Sequence, residues 1–359
     1  MTEDADADGR AGDLGGVAGS WEERGGEGLP VPGTRLETMV YALPLTTRFR
    51  GIDVREGVLV RGPRGWAEWS PFWEYERPEI DAWWAAALEA GWTGWPDPVR
   101  ASVPVNVTVP AVGPERAHEI VAASGCRTAK VKVAETGQVF GDDLARVEAV
   151  RDALRPDGRV RVDANGRWSV DEAFARLREL ARFGLEYAEQ PCASVDELAQ
   201  LRLRLARTGV DVPIAADESI RRSGDPQRVV AAGAADVAVL KVQPLGGVRR
   251  CLELAEQLGL PVVVSSAIES SVGLRAGLAL AAALPELPYA CGLNTGTLLA
   301  TDVVRDPIVA INGEIAVRDV EVDVSAAWQA DAATTIRWRG RLATMVNAWA
   351  SGPAIASWR

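Results

Sequence analysis

Eight short runs of apolar and β-branched residues recur along this chain at intervals of 24 to 31 residues, and that periodicity limits its fold more than any other feature. They are VPVNVTV from Val103, AKVKV from Ala129, VRVDAN from Val160, EYAEQP from Glu186, PIAADES from Pro213, VAVLKV from Val237, PVVVSS from Pro261 and YACGL from Tyr289. Most are followed by an amphipathic stretch with helical spacing. Strands and helices alternating in this way build either an open doubly wound sheet or a closed parallel barrel. Polar residues stand at nearly every carboxyl end of these runs. That favours closure, because a barrel gathers those ends at one mouth. A chain of 359 residues has room for such a barrel and a smaller second domain.

The barrel is expected over residues 101–300, with other material on both sides. Residues 1–33 are rich in Gly, Asp and Glu without an apolar period, and read as a disordered extension. Residues 34–100 read as an α+β domain. Within it YALPLTTRFRG, VREGVLVRG and GWAEWSP are patterned as antiparallel strands, and residues 79–95 as a helix. Residues 301–359, with VEVDV and a helix around 338–349, are expected to fold back onto that domain. The 13 tryptophans are read as packing residues, with Trp69 and Trp73 as the alternatives for contact with a substrate.

Several function classes are excluded at this stage. A net charge of −11 argues against nucleic-acid binding but leaves a small anionic substrate open, since a local cluster can override the global sign. No apolar run reaches 18 residues, so no membrane partner is expected and the chain reads as cytoplasmic. Its oligomeric state is open, with a monomer compatible. Cys126, Cys192, Cys251 and Cys291 form no CxxC pair and suit a reducing compartment. The one histidine, His118, falls in a helical stretch, which removes histidine-rich metal sites and Ser-His-Asp triads.

The chemistry lies at the strand ends. Asp163, Glu189 and Asp217 fall on three consecutive strands, where their charges would repel unless a cation sat among them. Oxygen ligands without histidine or cysteine select a hard ion, Mg²⁺ above all, with Mn²⁺ as a substitute. Taken singly, each acid is as well explained as a cap on the following helix. Lys130 and Lys132 alternate along one strand and share a face. Near a divalent cation both are expected to have a lowered pKa, favouring a neutral amine that can act as a base. Lys241 lies on the far side of the mouth, inside the barrel rather than at a solvated edge.

AKVKV, VDANGRW, EQP, ADES and LKVQPLGG, in this order and spacing, resemble the muconate-lactonizing-enzyme subgroup of the enolase superfamily over residues 36–325. The resemblance implies a (β/α)₇β barrel with an α+β capping domain built from the N-terminal segment and the C-terminal tail. It implies Asp163, Glu189 and Asp217 as Mg²⁺ ligands, Lys132 and Lys241 flanking the substrate, and an enediolate intermediate. SSAIESSVGL (265–274) and GLNTGTLL (292–299) are similar to a dehydrating branch of the subgroup. That branch implies loss of water from a succinyl-bearing cyclohexadiene carboxylate in menaquinone biosynthesis. Lys132 would be base and then acid, with Lys241 stabilising charge and Lys130 holding Lys132 or the carboxylate. Ser265, Ser266, Gly292 and Asn165 would bind substrate. The serine run is also explained as a helix start. Arg48 and Arg50, in TRFRGI, fall where the capping domain would reach over the mouth. An N-succinylamino-acid racemase on the same scaffold remains open, since racemisation needs a base on each face. A dipeptide epimerase fits less well, as CGLNTG offers no carboxylate, and a non-catalytic barrel would be expected to have lost one of these groups.

Overall fold

The computed structural model describes residues 36–222 and 225–350, so the expected extension at 1–33 lies outside the described residues. Three antiparallel strands, β1 (Thr38–Phe49), β2 (Ile52–Gly62) and β3 (Gly65–Trp69), open the fold, with Val58 paired to Val40 on one side and Trp69 on the other. Helix α1 (Glu79–Leu88) follows. It stops short of the expected residue 95, and a single π-helical turn at Glu89–Thr93 completes the segment.

The next elements wind regularly: β4 (Ser102–Pro104), β5 (Val107–Val109), α2 (Pro114–Ser124), β6 (Thr128–Lys132), α3 (Phe140–Ala153), β7 (Arg159–Asp163), α4 (Val170–Leu180), β8 (Leu185–Glu189) and α5 (Val195–Thr208). Then come β9 (Ile214–Ala216), α6 (Glu218–Arg221), α7 (Gln227–Ala231), β10 (Val237–Lys241), α8 (Val242–Leu245), α9 (Val248–Leu258), β11 (Val262–Ser265) and α10 (Ser271–Ala283). Two of the helices begin where a short polar side chain satisfies a first-turn N–H group. Ser169 with Glu172, and Ser194 with Glu197, form capping boxes at α4 and α5.

Strands β5 to β11 make one parallel sheet in sequential order. The first expected strand is split: β4 pairs antiparallel with β12 (Glu314–Ala316), and only β5 enters the parallel sheet. The eighth run, YACGL, is reduced to two bridging residues. Cys291 bridges Val105, and Gly292 bridges Ser265. The Cys291 N–H donates to the Pro104 carbonyl at 2.7 Å and that of Gly292 to Val264 at 2.8 Å, which joins the two edges of the curled sheet. The side chains of Tyr187, Ala215, Val237, Val239 and Val263 pack together as a cluster of their own between the strands.

VEVDV makes no strand; Val322 forms one isolated bridge to Val304. The last helix, α11 (Ala332–Ala350), lies on the first sheet, with Trp338 edge-on to Trp69 at 5.8 Å between ring centroids. Trp69, Trp83, Trp84 and Trp338 are all buried in the core shared by that sheet, α1 and α11. Trp73 is half exposed and stacks on Trp338, so neither Trp69 nor Trp73 faces the mouth. Among the described residues no helix is long and apolar enough to cross a membrane.

Candidate active site

Strand register sets the level of each functional group. Lys132 pairs with Asp163, Asp163 with Glu189, and Lys241 with Ser265, all at carboxyl ends of parallel strands. Since side chains alternate along a strand, Lys130 shares the inward face of Lys132 two residues deeper. Asp217 stands just beyond β9, at the first position before α6.

The three acids are fully buried, and each is held by a cation of the chain. The Lys130 ammonium donates to both oxygens of Glu189, at 2.9 and 3.0 Å. Lys132 donates to Asp163 at 2.5 Å and to the Asn165 amide oxygen at 2.7 Å. Lys241 donates to one oxygen of Asp217 at 2.6 Å, and Arg221 to the other at 2.9 Å. Arg221 also reaches Glu218 at 2.6 Å and the hydroxyl of Tyr75 from the first domain. Asn165, in a left-handed conformation (φ 47°), joins Lys132 to Glu218 through its amide at 3.3 Å.

These neighbours spread the titrations. Burial opposes ionisation of Asp163, yet the charges of Lys132 and Lys130 hold it well below the usual carboxylate range. Asp217 is likewise held down, against burial, by Arg221 and Lys241. Glu189 is pushed up to about 7 by burial and by the charge of Asp163. The two lysines of the KVK pair, both expected to be depressed beside a divalent cation, diverge when the protein's own groups act alone. Burial lowers Lys132, aided by the charge of Lys130 against that of Asp163. Lys130 is instead raised, because Glu189 and Asp163 outweigh its burial. Lys132 is therefore the easier of the two to deprotonate.

Lys130, Lys132, Asp163, Asn165, Lys241, Ser265, Ser266 and Gly292 line one cavity, joined by Thr108, Thr295, Ala267 and Ile268. Phe49 and Arg50, from the tip of the β1–β2 hairpin, cover it. Arg48 points away and pairs with Asp53 on the surface. A Cβ at position 292 would lie 2.6 Å from the Ser265 hydroxyl, so glycine leaves that oxygen room at the wall. Ser266 and Thr295 exchange a hydrogen bond of 2.7 Å. The helix start in this segment falls at Ser270, whose hydroxyl caps α10, which leaves Ser265 and Ser266 to the cavity.

Among the described residues no three Asp, Glu, His or Cys side chains converge in a ready-made metal cage. The donor set nevertheless fits a hard divalent ion. Three carboxylates sit at adjacent strand ends, close enough that Asp163 and Asp217 both raise Glu189, and each is now neutralised by a chain cation. Sequence reasoning missed Arg221, Tyr75, Thr108 and Thr295. ADES, GLNTGTLL and VPVNVTV mark the neighbourhood of three of them, but nothing in the sequence joins Tyr75 to Arg221.

Comparison with known proteins identifies the family and the fold. Residues 40–91 match the enolase N-terminal domain-like family, and 114–322 the enolase C-terminal domain-like family. The fold is shared with muconate cycloisomerase from Pseudomonas fluorescens, at a TM-score of 0.67 and 22% identity over 82% of this chain and 98% of that one. It is also shared with an N-succinyl Arg/Lys racemase from Bacillus cereus, at a TM-score of 0.66 and 19% identity over 80% and 95%. An o-succinylbenzoate synthase from Thermobifida fusca is 63% identical over 86% of this chain and 96% of its own length. That of Mycolicibacterium smegmatis is 56% identical over 82% and 90%. With identity of that order along nearly the whole of such relatives, the chain belongs to the o-succinylbenzoate synthase family of the enolase superfamily.

Proposed function

We propose that this chain carries out the Mg²⁺-dependent syn dehydration of 2-succinyl-6-hydroxy-2,4-cyclohexadiene-1-carboxylate to 2-succinylbenzoate, a cytoplasmic step of menaquinone biosynthesis. The observation that carries the reading is the presence of Lys132 and Lys241, four strands apart, on one cavity whose wall includes Asp163. Asp163, Glu189 and Asp217 would hold the ion. When bound, Mg²⁺ would supply stabilisation for the negative charge that develops on the substrate carboxylate.

Lys132, lowered by burial, takes the α-proton as a neutral amine. The electron pair left on carbon spreads into the carboxylate as an enediolate, and Lys241 faces that charge from the other side. The ammonium of Lys132 then returns its proton to the departing hydroxyl on the same face. The C–O bond breaks, water leaves, and the ring becomes aromatic. Lys130 stays charged and fixes Glu189. Ser265 and Ser266 offer hydroxyls to the succinyl carboxylate beside Gly292.

The test is turnover of the cyclohexadiene substrate with Mg²⁺, with EDTA, and in Lys132→Ala. Metal-dependent aromatisation is expected, lowered about 10²–10⁴-fold in the variant, the range for loss of a general base. Mg²⁺ at roughly 100 times its Kd should also stabilise the fold by about 2.7 kcal/mol, an effect absent in Asp163→Asn. Racemisation of N-succinylamino acids without dehydration would move the assignment to the racemase, and turnover indifferent to EDTA would sink the metal.

A further inference from the structure

The cavity wall formed by Ala267 and Ile268 is held from the capping sheet. Ile268 has φ 59°, a left-handed conformation that a β-branched side chain avoids. Its carbonyl accepts a 3.0 Å hydrogen bond from Nε of Arg55, 213 residues away on β2. Arg55 is only 2% exposed. Its other N–H groups go to the Glu56 carbonyl at 2.8 Å, and to the Ser70 carbonyl and hydroxyl at 2.5 and 2.8 Å. A buried guanidinium is costly unless its donors are used, and here they tie cap backbone to barrel loop. The same guanidinium lies over the Phe72 ring, 4.3 Å from its centroid, while Arg50 of the hairpin tip lies 4.6 Å from that centroid.

The flank of the loop is clamped as well. Glu68 on β3, also buried, accepts from the backbone N–H groups of Ser270 and Gly273 at 3.1 Å each, and from the Ser270 hydroxyl. Its other oxygen takes the hydroxyls of Tyr41 at 2.8 Å and Ser70 at 2.6 Å. Ser70 therefore connects the Glu68 clamp to Arg55.

We infer that Arg55 is a positioning residue for substrate binding: by holding the Ile268 carbonyl it keeps Ile268 in the left-handed conformation that shapes the substrate cavity. It touches no reacting atom. The inference rests on the dehydratase reading of that cavity, and it places the effect on KM.

A double-mutant cycle tests it, with Arg55→Met, Ile268→Gly and the pair together, each checked for folding by its thermal midpoint. Glycine takes up positive φ freely, so once Ile268 is replaced the turn no longer needs the arginine. Arg55→Met alone should raise KM about tenfold or more with kcat within about threefold; in the Ile268→Gly background the same change should move KM by less than about threefold. Equal KM effects in both backgrounds, or a fall in kcat with KM unchanged, would overturn the inference. If Arg55→Met does not fold, Arg55→Lys keeps the charge but not the fork of donors, and is read by the same cycle. A wild-type protein without dehydratase turnover would instead remove the reading beneath.

Discussion

Glu269 shows how a single buried carboxyl can tune the stability of this fold. It lies beside the cavity loop, almost fully buried, and accepts the Ala267 N–H at 2.6 Å. Burial and then the charge of Glu68 push it up to about 7. An acid raised in the folded state costs nothing while both states are protonated. Its cost grows as pH climbs from the unfolded value, about 4.3 for glutamate, to about 7, and is constant above. Glu269→Gln retains an acceptor for Ala267 and cannot ionise. Its Tm should exceed that of the wild type by on the order of 2–5 °C at pH 8, with the two proteins equal near pH 4.5. A Tm difference independent of pH would mean that Glu269 titrates normally. At this scale the sequence made the lysines and acids visible because each ends a local strand pattern. It could not show the shift of Lys130, set by a glutamate 59 residues on, or the reach of Arg221 to Tyr75 across 146 residues.

Among the elements, what the chain pattern conveyed was winding order, and what it hid was how the elements are stapled. Regular spacing made seven parallel strands legible, but the split of the first expected strand depends on a partner, β12, more than 200 residues later. The eighth strand shrinks to Cys291 and Gly292 because those two residues suffice to bridge both edges. The staple at Glu89 was equally hidden. Helix α9 starts after Gly247, which offers no side-chain cap. Glu89, at the end of α1, supplies one from 160 residues away: its carboxylate accepts the backbone N–H of Arg249 at 3.1 Å and that of Val248, and pairs with the Arg249 guanidinium at 2.9 Å. A carboxylate there also meets the positive end of the helix dipole. Glu89→Ala strands these buried donors and should cost about 2–3 kcal/mol in urea unfolding, whereas Glu89→Gln, which keeps an acceptor, should cost about half as much. Equal losses in the two variants would mean that packing at α1, rather than the cap, carries the effect.

On the scale of the whole molecule, the cap is fastened to the barrel at several points and free at one. Arg55, Glu68 and Glu89 tie the sheet and α1 to the barrel, and Arg222 pairs with Glu79 of α1. The hairpin is fixed as far as Thr46, whose hydroxyl donates to the Leu298 carbonyl at 3.2 Å, and Leu45 bridges Leu299. The β1–β2 register is irregular from Pro44 to Phe49, and the tip carries Phe49 to within 5.4 Å of the Lys132 ammonium. The cavity beneath holds about 30 Å³, room for two or three waters at most. A ring bearing a carboxylate and a succinyl arm does not fit, so the wall must open for substrate to enter, and residues 47–52, past the Thr46 contact, are the segment expected to swing out. Hydrogen exchange checks this directly. In the free protein the amides of 47–52 should exchange much faster than those of 57–69 in the same sheet. Saturating 2-succinylbenzoate should slow the tip by about tenfold or more and leave 57–69 unchanged. If the tip is as protected as the rest of the sheet without ligand, the opening lies elsewhere, and the segment at 265–270 becomes the wall that must move.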